Sequence, residues 1–433
     1  MKKILSLILV LLFCFCFSIS FAEGVAPYDS ETPITLYYAF DGSGSNAATY
    51  NAIFDQYEAE NPNITVELVF IPMNDWPDFV AKVQTMVAGG TTLDLCHITN
   101  ESCPVFYDLD MLECMDPYIE AYPEWFTDME DIVEMCQSTF VKEGKNYGIA
   151  KDWNNVVTYF NLDMLEQAGL EIPTAEEWTP EKFLEYCEKL TVKNEDGSIR
   201  YAFNIPLYYF GYEAFFFANG GRIFNEDFSE CTINSPECVE VVQFFQDLIF
   251  KYGYAPVPSV SDWNEMSLIN EQTAMIAAGR WSVATLQANN FTQVGVQLLP
   301  VFDAENYKVE NGVGGSGVMS TSAHKAEAMK LAAWTASDYF ANAVAEANGY
   351  VPARGSLMEA VVNSVDFPVN RELFYTTAAD SYPCECTSTY GTDAETVNRY
   401  ITECLSSPDA NVQELLDRCA KEITLVRQEA MAE

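Results

Sequence analysis

Apolar positions along this chain alternate between two spacings. "ITLYYAF" at 34–40 is a run of β-branched and aromatic residues that predicts a buried strand, ended by the Gly/Ser turn "DGSGS". In "NAATYNAIFDQYEAE", Tyr50, Ile53, Phe54 and Tyr57 share one stripe at helical spacing, so an amphipathic helix is expected there, stopped by "NPN". "ITVELVF" follows as a second strand. "DWPDFVAKVQTMVAGG" predicts a second helix, with Asp75 as N-cap, an apolar face of Phe79, Val80, Val83, Met86 and Val87, and a stop at Gly89-Gly90. "LDLCHI" is the third strand. Strand, helix, strand, helix, strand between 34 and 98 is the pattern of a parallel sheet wrapped by helices.

A boundary falls at "GKNYGIAKDWNNVVTYFN", where the strand-like runs "NYGIA" and "VVTYFN" flank a polar and aromatic link. Helices dominate afterwards: "LDMLEQAG" with Gly169 at its end, "TPEKFLEYCEKLT" with Thr179 as N-cap, and "SPECVEVVQFFQDLIFKYG" with Ser235 as N-cap. Between the last two lies "YAFNIPLYYFGYEAFFFANGG", whose "FFF" at 215–217 is expected in the core.

Length adds a constraint, because 433 residues exceed what one hydrophobic core comfortably organises, so two lobes are expected. Charge adds another. With 64 acidic against 22 basic residues, the molecular field repels nucleic acid and anionic surfaces and favours a neutral or cationic partner. His97 and His324, the two histidines of the chain, leave little room for imidazole catalysis or a multi-histidine metal site, and no cofactor or metal is expected.

Residues 1–22 read as a secretory signal peptide: Lys2 and Lys3, an uncharged run to Phe21, and small Ser20 and Ala22 before Glu23. A retained membrane anchor is the rival reading. Phe13 and Phe15 precede Cys14 and Cys16 where lipid attachment needs a small residue, so a free exported protein is expected. Of thirteen cysteines, those two leave with the peptide, and the remainder sit in an oxidising compartment. Expected disulfides are Cys231 with Cys238 and Cys404 with Cys419, while Cys187 reads as a buried thiol. "CEC" at 384–386 suggests either a metal or a disulfide, and export favours the disulfide.

The stretches "FDQYEAENPNITVELV", "KVQTMVAGGTTLDLCHI", "NYGIAKDWNNVVTYFNLDMLEQAGL", "WTPEKFLEYCEKLT", "FANGGRIF", "INEQTAMIAAGRWSV" and "GGSGVMSTSAHKAEAMKLAAWTASDYFANA" occur in one order. Over residues 33–355 the chain thereby resembles the extracellular solute-binding proteins of sugar-type ABC importers, the maltose-binding-protein-like group. The resemblance implies a two-lobe, periplasmic-binding-protein-like (type II) α/β fold with the ligand cleft between lobes. It places the crossings near Asp152, Gly312–Gly315 and Tyr350–Pro352. Lobe one is then 27–150 and 315–349, and lobe two 151–314 and 350–433. It also implies a monomer that delivers a small carbohydrate to membrane permease subunits.

A saccharide presents C–H faces ringed by hydroxyls, so its receptor needs flat aromatic surfaces and polar rims. Trp281 matches the family's Gly-x-Trp turn and is expected to line the cleft, flanked by polar Arg280 and Ser282; the competing reading is a core tryptophan. Trp153 is either cleft floor or packed beneath a solvated loop, and Asn154 matches a ligand contact of the family. Asp41 and Asn100 follow strand carboxyl ends, where α/β sheets bind ligands. Tyr208 and Tyr209 lie in an aromatic stretch that faces ligand in the family, and one of them is expected to reach the cleft. Ser316, in "GGSG", belongs to an expected hinge with backbone donors. Arg354 is the late basic candidate, with a surface ion pair as its alternative.

An exported glycosidase is the main functional rival, since it too needs aromatics and paired carboxylates. Among so many acids a suitable pair always exists, so pairing decides nothing. The chain lacks a Gly-x-Ser-x-Gly elbow, a His-Glu-x-x-His helix and a Walker loop. Binding without chemistry is expected, with a peptide or a polyamine as the other possible cargo.

Overall fold

Parallel strands organise the first part of the chain. Ile34–Asp41 pairs along its whole length with Ile64–Ile71 and on its other edge with Leu95–Thr99. The intervening helices are Ala47–Glu60 and Trp76–Ala88, and the first buries Tyr50, Ile53, Phe54 and Tyr57, the stripe its periodicity predicts. The Asp75 carboxylate accepts the Asp78 N–H at 3.0 Å and so caps the second. The computed structural model describes residues 25–42, 47–258, 264–348 and 350–432; the expected signal peptide at 1–22 and turn residues 43–46 lie outside them. No described helix is long and apolar enough to cross a membrane.

The sheet is extended by residues from far along the chain. Val309–Val318 runs antiparallel between Leu95–Thr99 and Ile149–Asn154, and Val351–Pro352 forms the edge beyond. Ser381–Pro383 pairs in parallel with Val309–Asn311. A second, five-stranded sheet has the order Val294–Leu298, Val157–Asn161, Thr273–Ala278, Ile199–Asn204 and Val192–Lys193. Helices Pro180–Leu190 and Pro236–Phe250 begin with the expected caps: Thr179 accepts the Lys182 N–H at 3.3 Å and Ser235 the Cys238 N–H at 3.4 Å. Tyr209–Ala218 is a short helix with Phe215, Phe216 and Phe217 all buried. Tyr390–Cys404 and Val412–Ala430 pack on each other and on Pro236–Phe250, and the former also touches Trp76–Ala88 beside the larger sheet.

Three expectations need correction. The link at Lys151–Asn154 is the end of a fully buried strand, because its backbone pairs on both edges with residues remote in sequence. Arg280 is no polar flank: it is 2% exposed, and its guanidinium donates to the carbonyls of Tyr350 (2.6 Å) and Val361 (3.4 Å). Burial lowers that guanidinium to about 10. The expected disulfides Cys231–Cys238 and Cys404–Cys419 do not form, since all eleven described cysteines are free thiols. They act instead as small apolar fillers on inward helix faces, as Cys404 and Cys419 do, and Cys238 gives its thiol hydrogen to the Arg222 carbonyl at 3.5 Å. Cys187 is buried, as its helical position predicts.

Arg280 joins the end of strand Thr273–Ala278 to the chain on either side of Val351–Pro352. Replacing it in Arg280→Met strips donors from two carbonyls. The expected loss of stability is about 1–3 kcal/mol, read as a lowered urea midpoint at unchanged slope.

Candidate functional site

The chain crosses from one sheet to the other at Asn154–Val157, and close by strand Val309–Val318 changes partners. Ile149–Asn154 lies in the larger sheet and Val157–Asn161 in the smaller, with two residues between them. Val309–Val318 bonds to Ser381–Pro383 as far as Asn311 and to Asn154 from Gly312 onward. Strand ends therefore converge here, and polar side chains converge with them.

Asp41, last in its strand, is hydrogen-bonded to Nδ1 of His97, whose ring is flanked by Phe40 and, edge-on, by Trp76, each with centroids 5.5 Å away. Burial by itself would raise the Asp41 carboxyl. The charge and hydrogen bond of His97, together with Lys151, overcome that and hold it below the usual carboxylate range. Lys151 Nζ meets Asp152 Oδ2 at 3.0 Å in the interior. Gly314 makes this approach possible, because a Cβ there would stand 2.3 Å from Asp152 Oδ1 and 3.0 Å from His97 Nε2. A cavity of about 10 Å³, room for one water, opens between Lys151, Asp152, Phe340 and Tyr350.

Around these groups the hydrogen-bonding capacity is incompletely used. His97 Nε2, Trp153 Nε1, Asn154 Oδ1, Asn155 Oδ1 and Thr158 Oγ1 are buried without a partner among the described residues. Each such atom costs about 1–3 kcal/mol unless something polar meets it. Hydroxyl groups, which donate and accept, suit that mixture of amide oxygens and ring nitrogens.

Aromatic surface lies beside the polar atoms. Trp281 is partly exposed and its ring covers Gly279, where a Cβ would come within 2.1 Å of Cζ3. Phe210 stands 6.0 Å from it at 49°, and the Phe210 ring covers Gly312, 3.1 Å from the position a Cβ would take. Gly312 pairs with Asn154. Indole, phenyl and carboxamide are thus consecutive along one wall.

The remaining candidates divide by burial. Asn100 is 6% exposed and its side-chain oxygen accepts the Val313 N–H at 2.5 Å, fastening the loop after Leu95–Thr99 to the shared strand. Trp153 is fully buried, packed beneath the crossing. Tyr208 is partly exposed and donates to Ala277 O at 3.4 Å; Tyr209 is buried and donates to Glu385 O at 2.8 Å. Ser316 sits inside the larger sheet's core, its hydroxyl between those of Tyr38 (2.6 Å) and Thr335 (2.7 Å). Arg354 is held by Asp131 (3.0 Å), Asp128 (3.3 Å) and Asp338. Asp41, Asn100, Asn154 and Trp281 are therefore gathered at or beside the crossing, while Ser316 and Arg354 are occupied elsewhere. Phe210 and His97 also stand beside these candidates, and sequence reasoning did not single them out for the site. The signal for Phe210 was its neighbour: a helix beginning at Tyr209 that turns Tyr209 inward turns Phe210 out.

Residues 52–367 match the family described as bacterial extracellular solute-binding protein. The chain belongs to that family. Two solved structures share the fold of this solute-binding protein. An ABC substrate-binding protein from Listeria monocytogenes in complex with cycloalternan has a TM-score of 0.80 at 25% identity, covering 91% of this chain and 98% of that one. Maltose-bound MalE3 of T. maritima has a TM-score of 0.77 at 18% identity, covering 90% and 99%. The expected two-lobe α/β architecture is thereby established. Among curated relatives, a putative binding protein of Brucella abortus is 24% identical over 216 residues, 48% of each chain, so this chain spans about half the length of that relative. The lactose-binding protein of Rhizobium radiobacter is 24% identical over 308 residues, 66% of each chain.

Because the Asp41 carboxyl is depressed in the folded solute-binding protein, its contribution to stability is present above the unfolded value and is lost as pH falls through the folded one. The urea midpoint is expected to drop on acidification below about pH 4. Asp41→Asn should show a shallower decline over the same interval.

Proposed function

We propose that this protein is the extracytoplasmic substrate-binding component of an ABC importer, which takes up a neutral sugar or oligosaccharide by closing its lobes and delivers it to a pair of membrane permease subunits. The observation that carries this reading is the pairing, at one crossing, of unpartnered buried polar atoms with the partly exposed Trp281–Phe210 wall. Aromatic faces match sugar C–H faces and the polar atoms match hydroxyls. A net charge of −42 at pH 7 agrees with an uncharged cargo and disfavours an anionic one. The lactose named for one relative and the cycloalternan bound by a structural neighbour support the same class.

In this reading Asp41, Asn154 and Asn155 supply polar contacts, Asn100 positions the crossing strand, and Trp281 with Phe210 carries a sugar face. Trp153 supports the floor from below. Lobe one (27–150 and 315–349) and lobe two (151–314 and 350–433) close about the crossings at Asp152–Val157, Gly312 and Tyr350–Pro352. The protein works exported, in a periplasm or at the cell surface, as a monomer and without catalysis. Ligand that touches both lobes favours the closed state by its differential affinity alone.

Titration calorimetry against a panel of sugars, peptides and polyamines tests the cargo, with micromolar binding of a sugar, about −8 kcal/mol, as the expected result. Tight binding of a polyamine or peptide alone would replace the sugar, and turnover of the sugar by pure protein would overturn the binder reading. Trp281→Ala should cost about 2 kcal/mol of binding, roughly thirtyfold in Kd. Small-angle scattering should show contraction when the sugar is added. Gly314→Ala, which displaces Asp152 and His97, should weaken the same sugar while the protein stays folded by circular dichroism.

A further inference from the structure

Three segments distant in sequence bring acidic and thiol groups together in the interior. Glu213 comes from helix Tyr209–Ala218, Glu310 from strand Val309–Val318, and Cys384 follows strand Ser381–Pro383. They are 0%, 1% and 5% exposed. One donor atom from each lies within 4.8 Å of the other two. Cys384 Sγ is 3.0 Å from Glu213 Oε2, and Cys386 Sγ is 3.5 Å from Cys384 Sγ. The sequence left this "CEC" between metal and disulfide use, favouring disulfides, and both sulfurs are free thiols.

The contrast with neighbouring Glu385 is informative. Its carboxylate pairs with Arg222 and accepts the N–H groups of Ile223 and Phe224, both at 2.9 Å, partners that offset part of the rise burial imposes on it. Glu213 accepts the Glu385 N–H at 3.1 Å. The Glu310 carboxylate meets no backbone donor and no cation, and its one hydrogen-bonding neighbour among the described residues is the Glu213 carboxyl. Among the described residues no lysine, arginine or histidine is paired with Glu213, Glu310 or Cys384. Burial raises the Glu213 carboxyl to about 8 and the Glu310 carboxyl well above its usual range. Ionised, these groups require a countercharge that the chain does not supply.

We propose that Glu213, Glu310 and Cys384, with Cys386 beside them, form a binding site for a divalent metal ion of zinc's kind. Zinc takes carboxylate oxygen at about 2.0–2.2 Å and thiolate sulfur at about 2.3 Å in tetrahedral array. Donors around it are then roughly 3–4 Å apart, so the cluster closes on an ion with small side-chain rotations. A thiolate in the set selects against magnesium and calcium, which take oxygen donors. Binding displaces the carboxyl and thiol protons to solvent. The ion would join the helix carrying Glu213 and the segment 384–386 to the shared strand two residues before Gly312, where that strand takes Ile149–Asn154 as its partner. Metal would thereby stiffen one crossing on which the lobes turn.

The test uses the full exported chain, stripped with chelator under reducing conditions and reloaded with zinc or cobalt. Expected results are about one zinc retained per chain by mass spectrometry of the element, and a thiolate-to-cobalt charge-transfer band. Cys384→Ser should abolish that band. Glu310→Gln should weaken zinc, in competition with a chromophoric chelator, by at least the roughly tenfold that loss of an outer partner costs. Metal-free wild type and variants are compared by circular dichroism, so that misfolding is recognised, and Glu213→Gln serves if Glu310→Gln misfolds. The proposal is overturned if wild type retains no more zinc than the Glu310→Gln/Cys384→Ser double variant, or if cobalt binds without a sulfur band. It is equally overturned if peptide mapping of the exported chain finds Cys384 and Cys386 joined as a disulfide.

Discussion

A single strand shared between two sets of partners is the constraint on which the rest of this molecule depends. Val309–Asn311 bonds in parallel to Ser381–Pro383, and from Gly312 the same strand bonds antiparallel to Ile149–Asn154 and Leu95–Thr99. Backbone hydrogen bonds are close to obligatory in an interior, so both exchanges of partner must occur without leaving N–H or C=O groups unmet. The Asn100 side chain helps at that point by accepting the Val313 N–H. Several side chains on the converging strand ends are left with polar atoms unused.

Glycine determines how near those side chains approach. At Gly314 the missing Cβ leaves room for Asp152 and His97, and at Gly312 it leaves room for the Phe210 ring. The same stretch of strand therefore has polar groups against Gly314 and an aromatic ring against Gly312. In the proposed function these two surfaces meet the hydroxyls and the C–H face of a sugar. Arg280 secures the arrangement from behind by binding the carbonyls of Tyr350 and Val361, which flank Val351–Pro352. The wall holding Trp281 is thus tied directly to the last crossing.

The acidic groups of the chain are met in different ways. Three aspartates gather on the Arg354 guanidinium, and Glu385 finds Arg222 and two backbone donors. Glu213 and Glu310 have no such arrangement although both are buried. They lie next to two unbonded sulfurs, in a protein whose family is extracellular.

Much of the architecture was determined locally. The stripe of Tyr50, Ile53, Phe54 and Tyr57, the caps at Asp75, Thr179 and Ser235, and the strand–helix alternation follow from residues within a turn or two of each other, where chain connectivity alone guarantees contact. The packing of the Trp281 ring over Gly279 is local in the same way, the two being two residues apart. Tertiary structure alone decided that Lys151–Asn154 is a buried strand, that Arg280 is interior, that Ser316 is locked by Tyr38, and that Arg354 serves Asp131. Tyr38 and Ser316 are 278 residues apart, and Asp131 and Arg354 are 223. Whether a polar side chain is solvated, paired or turned toward a ligand depends on which distant segment arrives beside it, and no periodicity in the chain encodes that arrival.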